Sequence, residues 1–167
     1  NLRRLADAFV RLWQRYGQIG QFIVTATEEI VIGNSASGAI APAGLALCYQ
    51  LFGNAAYLET AEALGALYER EYLDRGIVNG GPGEICQAPD SESAFGLLES
   101  YTQLYETTGD ARWLTAARAA CDLALTWVMN YNFEFPQETP AAKRGIHTTG
   151  TVFANAQNKH AAPGICT

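Results

Sequence analysis

The sequence predicts an all-α fold assembled from repeated helix hairpins, on three observations. One pattern occurs twice at an offset of 56 residues: Asn34-Ser35-Ala36-Ser37 falls on Asp90-Ser91-Glu92-Ser93, Gly53-Asn54 on Gly109-Asp110, Tyr57-Leu58 on Trp113-Leu114, and Ala61 on Ala117. A fixed period of this length is the mark of stacked helix pairs, each unable to bury its apolar face alone. Apolar residues between these landmarks recur at steps of three and four, the helical spacing. Finally, 49% hydrophobic against 17% charged residues is enough to form a core, which excludes a disordered tail.

The elements follow in order. Residues 2–16 form a helix with Leu2, Leu5, Phe9, Leu12 and Trp13 on one face, ended by Gly17 and Gly20. The offset places Leu2 on Leu58 and Leu114, so this helix is the second half of an earlier copy. Phe22-Ile23-Val24-Thr25 and Ile30-Val31-Ile32 are short β-prone runs that suit a small hairpin, with Glu28-Glu29 solvated on its turn. Residues 35–52 carry no charged side chain, which predicts a helix packed on most sides; Pro42 either kinks it or marks its first turn.

After the Gly53-Asn54 turn, residues 55–74 form a helix with Leu58, Ala61, Leu64 and Leu67 or Tyr68 inward. The Gly- and Pro-rich stretch 76–89 is a loop. Ser91 caps a helix to about 107, and Asp110 caps another to about 130. Residues 131–167 show no sustained period, with room for one short helix at 152–159. Pro163-Gly164-Ile165-Cys166-Thr167 repeats Pro82-Gly83-Glu84-Ile85-Cys86-Gln87, so a third copy is expected to open there. Turns within a pair are short and connections between pairs long. Loops carried on a rigid scaffold are the usual bearers of binding and catalysis, so function is sought at that end.

Tyr105-Glu106-Thr107-Thr108-Gly109-Asp110-Ala111-Arg112-Trp113-Leu114, followed by Ala116-Ala117, resembles the inner-to-outer helix turn of (α/α)6 toroids, the six-hairpin glycosidase superfamily; Leu51-Phe52-Gly53-Asn54-Ala55-Ala56-Tyr57-Leu58 is a looser copy. The resemblance spans about residues 34–130 and is specific for architecture rather than reaction. It implies that residues 1–167 form one partial toroid domain, cut at both ends, with helices 35–52 and 91–108 parallel and inside and the others outside and antiparallel. The flanks of such a fragment are expected to expose apolar faces open to association. It also implies a carbohydrate substrate, bound where the inner helices start. The families resembled are glycoside hydrolases, unsaturated-glucuronyl hydrolases, polysaccharide lyases and, in related toroids, sugar 2-epimerases.

Three acids fall at that place: Asp90, Glu92 and, in the preceding loop, Glu84. Glycoside hydrolysis needs one carboxylic acid to protonate the leaving oxygen and one carboxylate to attack or to activate water. Plainer roles stand beside these: Asp90 as a helix cap, Glu92 as a first-turn acid favoured by the helix dipole, Glu84 as a solvated charge. Asn34, His147, Asn155, Asn158 and His160 supply amides and imidazoles suited to sugar hydroxyls, and Trp127, Tyr131 or Phe133 can stack on a pyranose face; ordinary loop polarity accounts for the same composition. His147 and His160 are the only histidines, and either can be the base in a lyase or epimerase. A helical-repeat module that binds glycan or protein without turnover is the third reading.

Cys48 and Cys121 read as buried free thiols, while Cys86 and Cys166 have no zinc spacing, although a spatial cluster with His160 stays open. No metal and no cofactor is expected. A net charge of −6 and a pI of about 4.9 argue against a nucleic-acid partner. No apolar run approaches the roughly 18 residues of a membrane span, so no membrane partner is expected. The sequence carries no address that assigns a compartment.

Overall fold

The computed structural model describes residues 1–80, 88–156 and 161–162. Its order is α1 (Leu2–Tyr16), β1 (Phe22–Val24), β2 (Glu29–Ile32), α2 (Ala41–Phe52), α3 (Ala55–Glu71), a 3-10 turn (Leu73–Arg75), α4 (Ser91–Thr108), α5 (Ala111–Leu125), α6 (Pro140–Lys143), β3 (Val152–Phe153) and β4 (Ala161–Ala162). The described chain is mostly helical. The β pairs are small antiparallel ribbons, β1 with β2 and β3 with β4. Arg11 of α1 pins the first ribbon by pairing with Glu28, so that acid is bound rather than simply solvated.

The repeat is physical at its turns. Gly53 and Gly109 both take the left-handed conformation, at φ of 68° and 72°, and both donate their backbone N–H at 2.8 Å, to Tyr49 and Tyr105. The next residue then caps the following helix: Asn54 accepts from the Ala56 amide at 3.2 Å, and Asp110 from the Arg112 amide at 2.9 Å. A left-handed glycine followed by an Asx cap stops one helix and starts the next within two residues.

The helices α2 and α4 lie side by side and run in the same direction. The Ser100 hydroxyl donates to the Ala39 carbonyl at 2.6 Å and accepts from the Ala43 amide at 3.2 Å, and seven residues further along both helices Gln50 donates to the Thr107 hydroxyl at 2.9 Å. Gly96 permits the approach, since a Cβ there would sit 3.2 Å from the Ala39 Cβ and the Ile40 nitrogen. Pro42, in the first turn of α2, settles the kink-or-start alternative. Its ring removes one amide, Ile40 offers no side-chain cap, and Ser100 of the next copy serves the Ala43 amide instead. Ser100 is fully buried, so Ser100→Ala strands both partners and should cost about 1–3 kcal/mol; a urea midpoint within error of the parent's would show that water replaces the hydroxyl.

The helices α1, α3 and α5 pack in the same stepped way. Tyr57 of α3 donates to Asp7 of α1 at 2.6 Å, and its counterpart one step on, Trp113 of α5, lies against Gly65 of α3. The core is one cluster: Tyr57, Leu64 and Tyr68 of α3, Leu45 of α2, Leu97, Tyr101 and Leu104 of α4, and Trp113 and Ala120 of α5.

Several expectations change. In α1 the buried residues are Ala6, Val10 and Leu12, while Leu2 and Leu5 are 51% and 52% exposed. The α2 helix starts at Ala41 rather than 35, because residues 36–41 form tight turns, Ala39 N–H to Ala36 and Ala41 N–H to Gly38. One face of α2 stays open, with Ile40, Leu47 and Leu51 exposed. The α5 helix ends at Leu125, where the Thr126 hydroxyl takes the Leu123 carbonyl and the chain turns into a ladder. The short helix expected at 152–159 is a strand at Val152–Phe153, and a four-residue helix stands at Pro140–Lys143 instead. No helix among the described residues is long and apolar enough to cross a membrane.

Candidate functional site

The connections between pairs are tied into a belt across one end of the helices. The Ala36 amide donates to the Asn79 carbonyl at 2.9 Å, the Gly80 amide to Ala88 at 3.4 Å, and the Asp90 amide to Val78 at 3.1 Å. The Ser91 amide donates to Ala154 at 2.9 Å and the Ala156 amide to Pro89 at 2.8 Å, which sets Asp90 opposite Asn155. Further back along the same segment, the Phe153 amide donates to Trp127 and the Met129 amide to Thr151. The loop before α2, the loop before α4 and the segment after α5 therefore meet where α4 begins.

Asp90, rather than Ser91, is the N-cap of α4: its carboxylate reaches the Ser93 amide, while Ser91 is already the first helical residue. One carboxylate oxygen accepts the Ser93 amide at 2.6 Å, the other accepts the Ser93 hydroxyl at 3.0 Å, and the residue is 1% exposed. Glu92, two residues on, is half-buried in the first turn. Asn155 is buried at 7%. Trp127 is half-buried and packs on the core, so its ring is engaged with protein rather than presented to solvent. Asn34 is exposed; it takes the left-handed conformation at φ 55°, its amide donates to Gln18 at 2.8 Å, and its side-chain oxygen accepts from Gln18 at 3.3 Å. It does not cap α2 as Asp90 caps α4, because the turns at 36–41 separate it from that helix. Glu84, Asn158 and His160 lie outside the described residues, as do Cys86 and Cys166.

His147 is exposed on a loop closed by Asn132, whose side-chain oxygen accepts from the Thr148 and Thr149 amides at 3.0 Å and the Thr149 hydroxyl at 2.9 Å. Thr148 completes the closure, donating to the Tyr131 carbonyl at 2.8 Å and accepting from the Phe133 amide at 2.9 Å. This staples three aromatic rings into a row, Tyr131 edge-on to Phe133 at 5.4 Å and Phe133 edge-on to Phe135 at 6.4 Å. Tyr131 and Phe133 are 57% and 40% exposed, so they, rather than Trp127, are the rings open to a ligand.

Two features went unread in the sequence. A cavity of about 690 Å³ lies between the C-terminal ends of α1 and α3 and the belt, with Asn34 on its wall. Asn79 lines it too, its side-chain oxygen buried and without a hydrogen-bond partner among the described residues. Nothing distinguishes Asn79 in the sequence from other asparagines in glycine-rich loops. Cys48 is buried, which pushes its thiol up, and Cys121 is half-buried.

No protein-family model, no curated protein and no solved structure matches this chain.

Proposed function

We propose that the chain is part of an (α/α) toroid of the six-hairpin glycosidase kind, and that its belt-bearing end binds and hydrolyses a glycan. The observation that carries the reading is the turn of direction between successive inner helices. Toward α4, α2 presents Ala39, Ala43 and Gln50. Its open face carries Ile40, Gly44 and Leu47, which with Leu5 and Phe9 of α1 line an apolar groove of about 480 Å³. One step back along the 56-residue offset, Ile40 and Gly44 correspond to Gly96 and Ser100, the α4 positions that receive α2. The groove is thus the place for an inner helix of a preceding copy, packed parallel to α2. Neighbouring positions on a helix lie about 100° apart, so the two faces of α2 meet at a corner, which bends a row of inner helices toward a ring rather than a straight stack.

On this reading Asp90 opens an inner helix at the sugar-binding end with Glu92 beside it, Asn155 opposite, and Tyr131 and Phe133 as stacking surfaces. Glu84 is proposed as the partner acid, since hydrolysis divides its work between two carboxylates. The second reading is a glycan-binding repeat without turnover, favoured by the burial of Asp90 and the engagement of both its oxygens with Ser93.

The test is incubation of the protein with neutral and uronic-acid polysaccharides, following new reducing ends and unsaturated products separately. New reducing ends without unsaturation support the hydrolase. Unsaturated products move the reaction to a lyase with a histidine base, and binding without either product selects the module. A protein that neither binds nor cuts any member of the panel overturns the glycan reading.

A further inference from the structure

We propose that the cavity between α1, α3 and the belt is a binding site for one neutral sugar unit of that glycan, distinct from the Asp90 position and set beside it. The ligand class rests on the glycan reading; the site itself rests on three observations.

The lining sets aromatic rings and side-chain amides beside the aliphatic Ile19, Leu67 and Ile77 and the charged Glu71 and Arg75. Tyr16, Tyr68 and Tyr72 contribute aromatic surface, and Gln18, Asn34 and Asn79 contribute amides. Rings for the apolar faces of a pyranose and amides for its hydroxyls are the complementary set, and about 690 Å³ falls within the roughly 300–1,000 Å³ of small-molecule sites. Charge is already balanced: Glu71, also on the wall, accepts from Arg70 at 2.8 Å and from Arg75 at 2.7 Å, and the Arg70 contact holds its carboxyl below the usual range. A cation therefore finds no uncompensated acid in Glu71. Burial pushes the Tyr68 phenol up, so its hydroxyl stays protonated as a donor.

The buried Asn79 oxygen is an acceptor without a donor among the described residues. An unmet buried acceptor is costly, and turning the Asn79 amide so that its oxygen faces the cavity lets a ligand hydroxyl donate to it. Asn34 is held in the left-handed region at φ 55° by its paired contacts with Gln18. Asn takes this conformation more readily than other non-glycine residues, and here it fixes the Asn34 backbone on the cavity wall.

The experiment titrates the parent with cellohexaose, xylohexaose, mannohexaose and trigalacturonate, read by saturation-transfer NMR, and repeats it with Asn79→Leu and Tyr72→Ala. Asn79→Leu keeps size and removes the unmet acceptor, so its melting temperature should be equal or higher while affinity for at least one neutral hexasaccharide falls tenfold or more. Tyr72, half-buried, should show the same loss with a folded circular-dichroism spectrum, and it carries the test if Asn79→Leu fails to fold. Parent-like affinity in both variants overturns the cavity and leaves the glycan reading standing. A parent that binds no member of the panel overturns both.

Discussion

Asp90→Asn is expected to leave the fold intact while lowering glycan turnover by about 10²–10⁴-fold, the range for loss of a general acid or base. Asn caps helices about as well as Asp. The substituted side chain keeps an oxygen for the Ser93 amide, and its NH₂ can donate to the Ser93 hydroxyl where the second carboxylate oxygen now accepts from it. Stability should therefore stay within about 1 kcal/mol of the parent, whereas an amide can neither take up nor release the proton that hydrolysis requires. Asp90→Ala separates the roles further, losing about 0.5–2 kcal/mol of cap as well. Turnover at the parent level in Asp90→Asn would assign the residue to capping alone and move the chemistry to other acids.

Trp113→Ala should cost about 3–5 kcal/mol, the range for emptying a buried aromatic site. The ring is fully buried, stacks on Tyr101 at 5.9 Å and 11°, lies against Gly65 of α3, and is covered by the Arg112 guanidinium at 4.1 Å. It joins α5 to α4 and to α3, so its removal opens a cavity between two copies of the repeat. Against the roughly 5–15 kcal/mol by which domains are stable, that is a large share. The indole N–H has no hydrogen-bond partner among the described residues, so Trp113→Phe deletes an unmet donor and should cost distinctly less. Denaturant midpoints at constant slope measure both. A Trp113→Ala loss below about 1 kcal/mol would show that the copies are not coupled through this ring.

What was legible in the sequence was local and repeated. Gly53-Asn54 and Gly109-Asp110 specify a left-handed stop and a cap in two residues, and the structure uses both as written. The start of α4 was legible to within one residue, the sequence reading placing the cap at Ser91 where the structure has Asp90. Elsewhere the signal was tertiary. Asn34 aligns with Asp90 by sequence, but Gln18, sixteen residues away, holds it in the left-handed region, whereas Asp90 caps α4 from an extended backbone. Leu2 and Leu5 continue an apolar stripe and yet lie exposed, Leu5 on the wall of an open groove, because helical periodicity reports that a face is apolar without saying what covers it. Residues 127–156 are ordered by the Asn132 side chain and by ladders to distant strands, none of which leaves a period in the sequence. Asn79 drew no attention because a buried unmet acceptor exists only once the loops have met.

Backbone amide shifts in the presence of a saturating oligosaccharide from the binding panel test most directly the proposal that the belt-bearing end binds glycan. Perturbations should cluster at Asn34, Asn79, Asp90, Asn155 and the loop carrying Tyr131 and His147, leaving the Gly53-Asn54 and Gly109-Asp110 turns at the opposite end unmoved. Shifts centred on those turns, or spread evenly over the helices, would contradict it.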